Sequence, residues 1–281
     1  MKIKLFLLLL TAALLLGGCR KDADPVSDLS VVCSTTSLTR VAKALSENTA
    51  ISIHQVVPDN VNIHTFTLSQ KDMKSLHDAD LVVIYSPELE FWASKVPSGK
   101  LLVINKDLPN FEPIYIGKDT VNPHTWLDPV YESEIIDLMV SRFSVINPSA
   151  KESFRGKAKR LQENIRKLDK NIQADASAGM LKDVYVICSH PSLAYFFRRY
   201  GIDNVDYIQT GEGEEPSVKH LNQLITKAKN AKRCVVICEE QFDDKAADTI
   251  IRESRARKVE FNPQTPNYDD DMWRMFMNLT D

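Results

Sequence analysis

The sequence predicts an α/β fold made of two α/β lobes, with mostly parallel sheets, joined by a long rigid backbone helix. Three observations carry that prediction. Apolar runs such as residues 81–85 (LVVIY) and 234–238 (CVVIC) are continuous rather than alternating, as in strands covered on both faces. Amphipathic helical patterns lie between such runs, and strand–helix alternation builds parallel sheets through right-handed crossovers. One segment, from Pro148 to about Ala178, breaks the rhythm with a single long helical stripe.

Taken in order, the predicted strands are Ser30–Cys33, Ile51–Val57, Asp80–Ser86, Lys100–Asn105, Val184–Ser189, Asn204–Gln209, Arg233–Cys238 and Lys258–Phe261. The predicted helices are Ser37–Ser46, Ser69–His77, Pro87–Lys95, Pro216–Asn230 and Asp243–Ser254, with two more helices starting after Pro129 and at Pro191. In the long segment Phe154, Ala158, Leu161, Ile165, Leu168 and Ile172 recur at spacings of three and four, which is one apolar face of a helix. Basic side chains, including Lys151, Arg155, Lys159, Arg160, Arg166 and Lys170, occupy the opposite face. The resulting organisation is residues 1–18 as a leader, 19–147 and 179–281 as lobes, and 148–178 as the connecting helix. Each lobe is long enough to bury its own core.

The 281 residues hold 35 Lys and Arg against 38 Asp and Glu. This balance excludes a general nucleic-acid binder, which needs a basic excess. Only nine glycines occur, and neither GxGxxG nor GxxxxGK[ST] is present, which weighs against nucleotide chemistry. The N-terminus, MKIKLFLLLLTAALLLGGC, joins Lys2 and Lys4 to an apolar stretch ending in Leu16-Gly17-Gly18-Cys19. That pattern reads as a lipoprotein signal cleaved before Cys19, with acyl chains on Cys19 tethering an exported chain to a bacterial membrane on its periplasmic or cell-surface side. Cleavage removes Lys2 and Lys4 and no acids, so the mature chain is acidic. Cys33, Cys188, Cys234 and Cys238 each lie in a strand-like run and read as small buried apolar residues. Cys234 and Cys238, four apart in one strand, are too distant to pair with each other.

The six histidines divide into two groups. His54 lies within a strand, His77 closes a helix, and His220 sits on a helix's polar side; packing and capping account for them. His64, His124 and His190 lie in loops. His64 and His190 follow strands in opposite lobes, and His124 occupies a long loop able to reach them. Ligands of open α/β sheets collect beyond the carboxyl ends of strands, and imidazole suits zinc and other first-row divalent ions. Their separations of 60 and 66 residues form no local motif, so spacing leaves packing and capping open for these three as well.

Over nearly the whole mature chain the sequence resembles the zinc/manganese class of ABC-transporter substrate-binding lipoproteins. The resemblance rests on VVCSTTSLTRVAKAL, on VVPDNVNIHTF and the stretch to Trp92, on NPHTWLDPV, on CSHPSLAYFFRRYGI, and on GEEPSVKHLNQLI and VVICEEQFDDKAADTI. It implies two lobes with one metal in the cleft between them, held by His64, His124 and His190. A histidine at the third position resembles the zinc-type members, where manganese-type members place a carboxylate. The family's fourth ligand is an Asp, and the matching run KVEFNPQ puts Asn262 there. The fourth position is therefore open to Asn262, water or a nearby carboxylate; Glu239, which ends a strand, is a candidate to stand behind a ligand and orient it, and Glu212, Glu214 and Glu215 lie in a turn-like run. Asp128, beside His124, is either a helix cap or a partner tuning the imidazole.

The resemblance implies an extracytoplasmic, monomeric carrier that captures Zn²⁺ as transported ligand, Mn²⁺ being possible, and delivers it to an ABC permease with its ATPase. Manganese or iron capture, and a lipid-anchored adhesin that kept the fold, are the competing binding readings. A zinc hydrolase with Glu239 as base is the enzymatic one, and no HExxH motif supports it.

Overall fold

The computed structural model describes residues 29–117, 119–209, 215–243 and 245–280. The expected signal, Cys19, Glu212 and Glu214 lie outside them. Two four-stranded sheets, each wholly parallel, organise the chain.

The first sheet has the order β2-β1-β3-β4, with β1 at Leu29–Cys33, β2 at Ile51–Gln55, β3 at Leu81–Ile84 and β4 at Leu101–Val103. Val31, Val32 and Cys33 in β1 and all of β3 are buried, as continuous apolar strands require when helices cover both faces. Helices α1 (Thr36–Ser46) and α2 (Gln70–Asp78) make the crossovers. Thr35 caps α1 by accepting the Leu38 N–H, and Ser69 with Asp72 forms a reciprocal capping box on α2.

Beyond β4 come a single helical turn, α3 (Ile104–Asp107), and a short antiparallel hairpin of β5 (Tyr115–Ile116) and β6 (Thr120–Val121). Then follows α4 (Pro129–Ile146), capped by Asp128 with Pro129 in its first turn. The second sheet has the order β10-β9-β7-β8, from β7 (Val184–Cys188), β8 (Val205–Tyr207), β9 (Arg233–Glu239) and β10 (Arg257–Phe261). Its helices are α6 (Ala194–Tyr200), α7 (Val218–Asn230), α8 (Lys245–Ser254) and α9 (Tyr268–Thr280). α6 stops at Gly201, whose φ of 66° is the left-handed conformation that favours glycine.

The expected long helix is α5 (Lys151–Ser177), 27 residues and about 40 Å at 1.5 Å per residue. It buries Phe154, Ala158, Ile165, Leu168 and Ile172, packing on α1 and α4 towards one end and on α6 and α9 towards the other. Leu161 of the expected stripe is half-buried, and Lys157 joins the buried face instead. The Lys157 Nζ donates to the Leu45 carbonyl at 3.0 Å and to the Glu47 carbonyl, satisfying the end of α1.

Two elements depart from expectation. Pro87–Lys95 is no α-helix; only Phe91–Lys95 forms a 3₁₀ turn. The reason is Glu90, whose carboxylate accepts the Tyr85 and Ser86 N–H groups and holds the chain in a turn. Lys100–Asn105 is a strand only to Val103. The four cysteines 33, 188, 234 and 238 are free thiols. Among the described residues no helix is long and apolar enough to cross a membrane.

Candidate metal centre

In each parallel sheet the second and third strands in chain order lie on opposite sides of the first, and that reversal leaves a crevice beyond the carboxyl ends of the central strands. In the second sheet that crevice lies between β7 and β9. β7 ends at Cys188 and leads through Ser189 into His190, while β9 ends at Glu239. Pro191 then opens the 3₁₀ turn that leads into α6, so His190 is held where strand gives way to helix.

His64 and His124 arrive from the first half of the chain through matching local structures. His64 sits in a 3₁₀ turn capped by Asn62, whose Oδ1 accepts the His64 N–H at 2.9 Å. His124 follows Asn122, whose Oδ1 accepts the His124 N–H at 3.0 Å. The same Oδ1 also stands 2.8 Å from the His124 Nδ1. Asn122 is fully buried, and its Nδ2 donates to the Pro191 carbonyl at 2.7 Å, which ties the His124 loop to the His190 turn.

The three imidazoles converge. The His124 Nε2 lies 3.2 Å from the Nε2 of His64 and 3.2 Å from that of His190. All three donor nitrogens lie within 4.8 Å of one another, and this is the metal-capable cluster of His, Cys, Asp and Glu found among the described residues. Tetrahedral zinc, with Zn–N bonds near 2.0–2.1 Å, sets ligand nitrogens about 3.3–3.4 Å apart. The two spacings at His124 are thus close to what one shared ion imposes, and the remaining pair lies within 4.8 Å. His124 and His190 are buried and His64 is half-buried at the rim.

The surroundings assign the protons. Asn122 Oδ1 takes the His124 Nδ1–H, leaving its Nε2 lone pair toward the cluster. The His190 Nδ1 is 2.9 Å from Glu239 Oε1, a close electrostatic contact although off the line of a good hydrogen bond. Glu239 Oε1 also accepts from the Ser192 hydroxyl at 2.8 Å. Burial, and secondarily the neighbouring His190 and His64, push the His124 imidazole well below its ordinary pKa, so it stays neutral and able to donate its lone pair. Burial pushes the nearby Cys188 thiol well up; it remains protonated and outside the ligand set.

The cavity at the rings leaves about 20 Å³ for the centre of a water-sized particle, room for one ion or one water. Phe242 stacks on His190 with centroids 4.3 Å apart, and Trp126 lies 5.1 Å from His124. The indole of Trp126 also stacks on Tyr85, and its Nε1–H donates to the Pro263 carbonyl at 2.8 Å.

Asn262, expected at the fourth position, is turned elsewhere. Its Oδ1 accepts from Gln241 Nε2 and from the Gln264 N–H, both at 2.8 Å, and its Nδ2 donates to Glu240 at 3.0 Å. The cavity wall is made by Glu239, Gln241, Pro263 and Gln264 instead. Asp128 caps α4 through the Val130 N–H and pairs with Arg199, so it acts as a cap. His54 and His77 are exposed, and His220 stands against the Tyr207 carbonyl; none of the three joins the cluster.

Asn122, Asn62, Gln241 and Phe242 were not singled out by the sequence. The repeated Asn-x-His in Asn62-Ile63-His64 and Asn122-Pro123-His124 is a signal that could have found the first two, because Asn bonds its own chain two residues on.

Comparison with known proteins places the chain in a family. The chain is similar to the high-affinity zinc uptake system protein ZnuA of Bacillus subtilis, 25% identical over 272 residues, covering 90% of this chain and 84% of that one. It is similar to the manganese ABC transporter substrate-binding lipoprotein PsaA of Streptococcus anginosus, 23% identical over 272 residues, covering 90% and 86%. Among solved structures it matches the periplasmic zinc-binding protein TroA from Treponema pallidum with a TM-score of 0.80, 16% identity, and coverage of 90% of this chain and 98% of that one. It matches a crystal structure of ZnuA with a TM-score of 0.78, 20% identity and the same coverages. With residues 31–279 matching the family described as zinc-uptake complex component A, periplasmic, the chain belongs to the ZnuA family of metal-binding components of ABC importers.

Proposed function

We propose that the chain captures Zn²⁺ outside the cytoplasmic membrane, holds it through His64, His124 and His190 as transported ligand, and passes it to an ABC permease with its ATPase. The single observation that carries the reading is the meeting of three Nε2 atoms from both halves of the chain. In the tautomer that turns all three Nε2 lone pairs to the cluster, contacts at 3.2 Å repel, and a shared divalent cation converts that repulsion into three bonds.

Zinc is favoured over manganese by the donor set. Three neutral imidazoles suit zinc, whereas carboxylate and water oxygens suit manganese. Among the relatives, ZnuA is named for zinc and PsaA for manganese. Lobes at 19–147 and 179–281, joined by the helix at 148–178, would then close on the ion as a monomer, the chain tethered by acyl groups on Cys19. Catalysis has no part in this reading: Glu239 is engaged by Ser192 and stands against His190, where it fixes a ligand and activates no water.

Calorimetric titration of the metal-free protein tests the proposal. Zinc binds tighter than micromolar and in preference to manganese, and His124→Ala removes most of that affinity. Failure to bind zinc at micromolar concentration overturns it.

A further inference from the structure

Resting on the reading of the three histidines as zinc ligands, the structure also assigns the oxygen donor that the triad lacks. Among the described residues, two buried oxygens have no hydrogen-bond partner and belong to side chains lining the same cavity: Glu239 Oε2 and Gln241 Oε1. The Glu239 carboxylate is already committed through its other oxygen, between Ser192 and His190. Gln241 is arranged differently. Its Nε2 donates to Asn262 Oδ1 at 2.8 Å and to the Asp59 carbonyl at 3.3 Å. With both amide hydrogens used, the orientation of the amide is set, and Oε1 is left buried and without a partner on a side chain of the cavity wall.

We propose that Gln241 Oε1 completes the coordination of zinc and that Asn262, whose Oδ1 already accepts two N–H groups, is the residue that positions it. The same amide then clasps the two halves of the chain. Gln241 follows β9, whereas Asp59 belongs to the loop that carries His64. Asp59 is itself a firm anchor, because its Oδ1 accepts from the Thr36 hydroxyl and the Gln55 amide, both at 2.7 Å. A cation on Oε1 draws electron density from the amide and makes Nε2–H a stronger donor. Zinc binding therefore tightens the contact to Asp59, and loss of the ion slackens it. A neutral oxygen in this position also keeps the added negative charge at the ion low, in line with a cargo that must be released.

The test uses the full mature protein, with Zn²⁺ as the probe. A zinc-loaded crystal structure shows Gln241 Oε1 at bonding distance from the ion, about 2.0–2.2 Å for an oxygen ligand. In chelator-competition titrations Gln241→Leu and Asn262→Ala each lose roughly 10–100-fold in zinc affinity, the range found when ligand-orienting partners are removed. A water or Glu239 in that position of the crystal structure overturns the assignment, whatever the variants do. Unchanged affinity in both variants, with wild-type protein binding zinc, overturns it too and leaves the triad intact. Wild-type protein that fails to bind zinc overturns the carrier reading instead, so the two failures are told apart.

Discussion

Asn122 holds His124 twice: one side-chain oxygen accepts the His124 backbone N–H at 3.0 Å and stands 2.8 Å from its Nδ1. Backbone and ring are thereby fixed by a single atom. The Nδ2 of the same side chain reaches the Pro191 carbonyl, one residue past His190, so one buried amide sets the relation between two imidazoles 66 residues apart.

Replacing Asn122 with Ala therefore frees the tautomer of His124 and detaches the Pro191 carbonyl. Zinc affinity is expected to fall roughly 10–100-fold, as for other partners that orient a metal-bound histidine. Asn122→Asp keeps the acceptor but loses the donor to Pro191, so it retains more affinity than Asn122→Ala. Competition titration against a chelator measures both; equal affinities for the two variants would show that the contact to Nδ1 does not matter.

The pH dependence of the metal-free protein follows from signs. Burial holds His124 neutral, well below its ordinary pKa, while in the unfolded chain it takes a proton near pH 6.5. As pH falls through about 6.5 the unfolded chain gains a proton that the folded chain refuses, so this histidine makes the fold less stable in acid. Glu90 and Glu132 act oppositely. Burial raises both from 4.5 to about 7, Glu132 despite its pairing with Arg40. The folded chain takes up their protons near pH 7 and the unfolded chain only near 4.5, which adds stability across that window as pH falls. The net profile mixes the two. The difference between wild type and His124→Asn in urea unfolding isolates the histidine, and it is expected to shift against wild type from pH 7.5 to pH 5. Parallel profiles would contradict a buried neutral His124.

Much of this was legible beforehand, for reasons that have a physical basis. Continuous runs such as residues 81–84 declare themselves as strands because burial on both faces leaves no polar position, and the observed β3 begins and ends within two residues of expectation. The stripe from Phe154 to Ile172 declares α5 because only one period fits it. His64 and His190 stood out as histidines past strands and His124 as one in a long loop, but spacing left packing and capping open, and it was the resemblance that named the three as ligands. What could not be read was the direction of a polar side chain. A matching position suggested Asn262 as a ligand, but whether its carbonyl meets a cation or a neighbouring N–H depends on Gln241 and Gln264, and that packing is not encoded locally. Pro87–Lys95 looked helical for the same reason: the spacing was right, and the Glu90 carboxylate took the backbone elsewhere.

Trp126 offers a way to loosen a contact between the two halves of the chain without replacing a histidine. Its ring stacks on Tyr85 at 4.3 Å while its Nε1–H reaches the Pro263 carbonyl across the cleft. Trp126→Phe keeps an aromatic ring against Tyr85 and removes the donor. A lost hydrogen bond of about 1 kcal/mol corresponds to roughly fivefold weaker zinc binding, expressed mainly as faster release. Stopped-flow transfer of zinc to a chelator measures the rate; an unchanged rate would mean that this contact does not hold the halves together.

Glu90 separates stability from binding. Its carboxylate accepts the Ser34 hydroxyl at 2.6 Å, the Tyr85 N–H at 3.1 Å and the Ser86 N–H at 3.0 Å, all buried at the carboxyl end of the first sheet. Glu90→Ala leaves these donors without their acceptor, each at about 1–3 kcal/mol, although the Ser34 hydroxyl can rotate to a new partner. A loss of about 3 kcal/mol is expected, read as a lower urea midpoint at unchanged slope. Glu90 does not line the cavity at the three histidines. The affinity of the folded variant for zinc therefore stays within about threefold of wild type, a change of less than about 0.7 kcal/mol. A larger drop in affinity at temperatures where the variant is fully folded would mean that the Tyr85–Glu90 turn helps to place Trp126 against His124, and that the sheet edge and the metal centre form one unit.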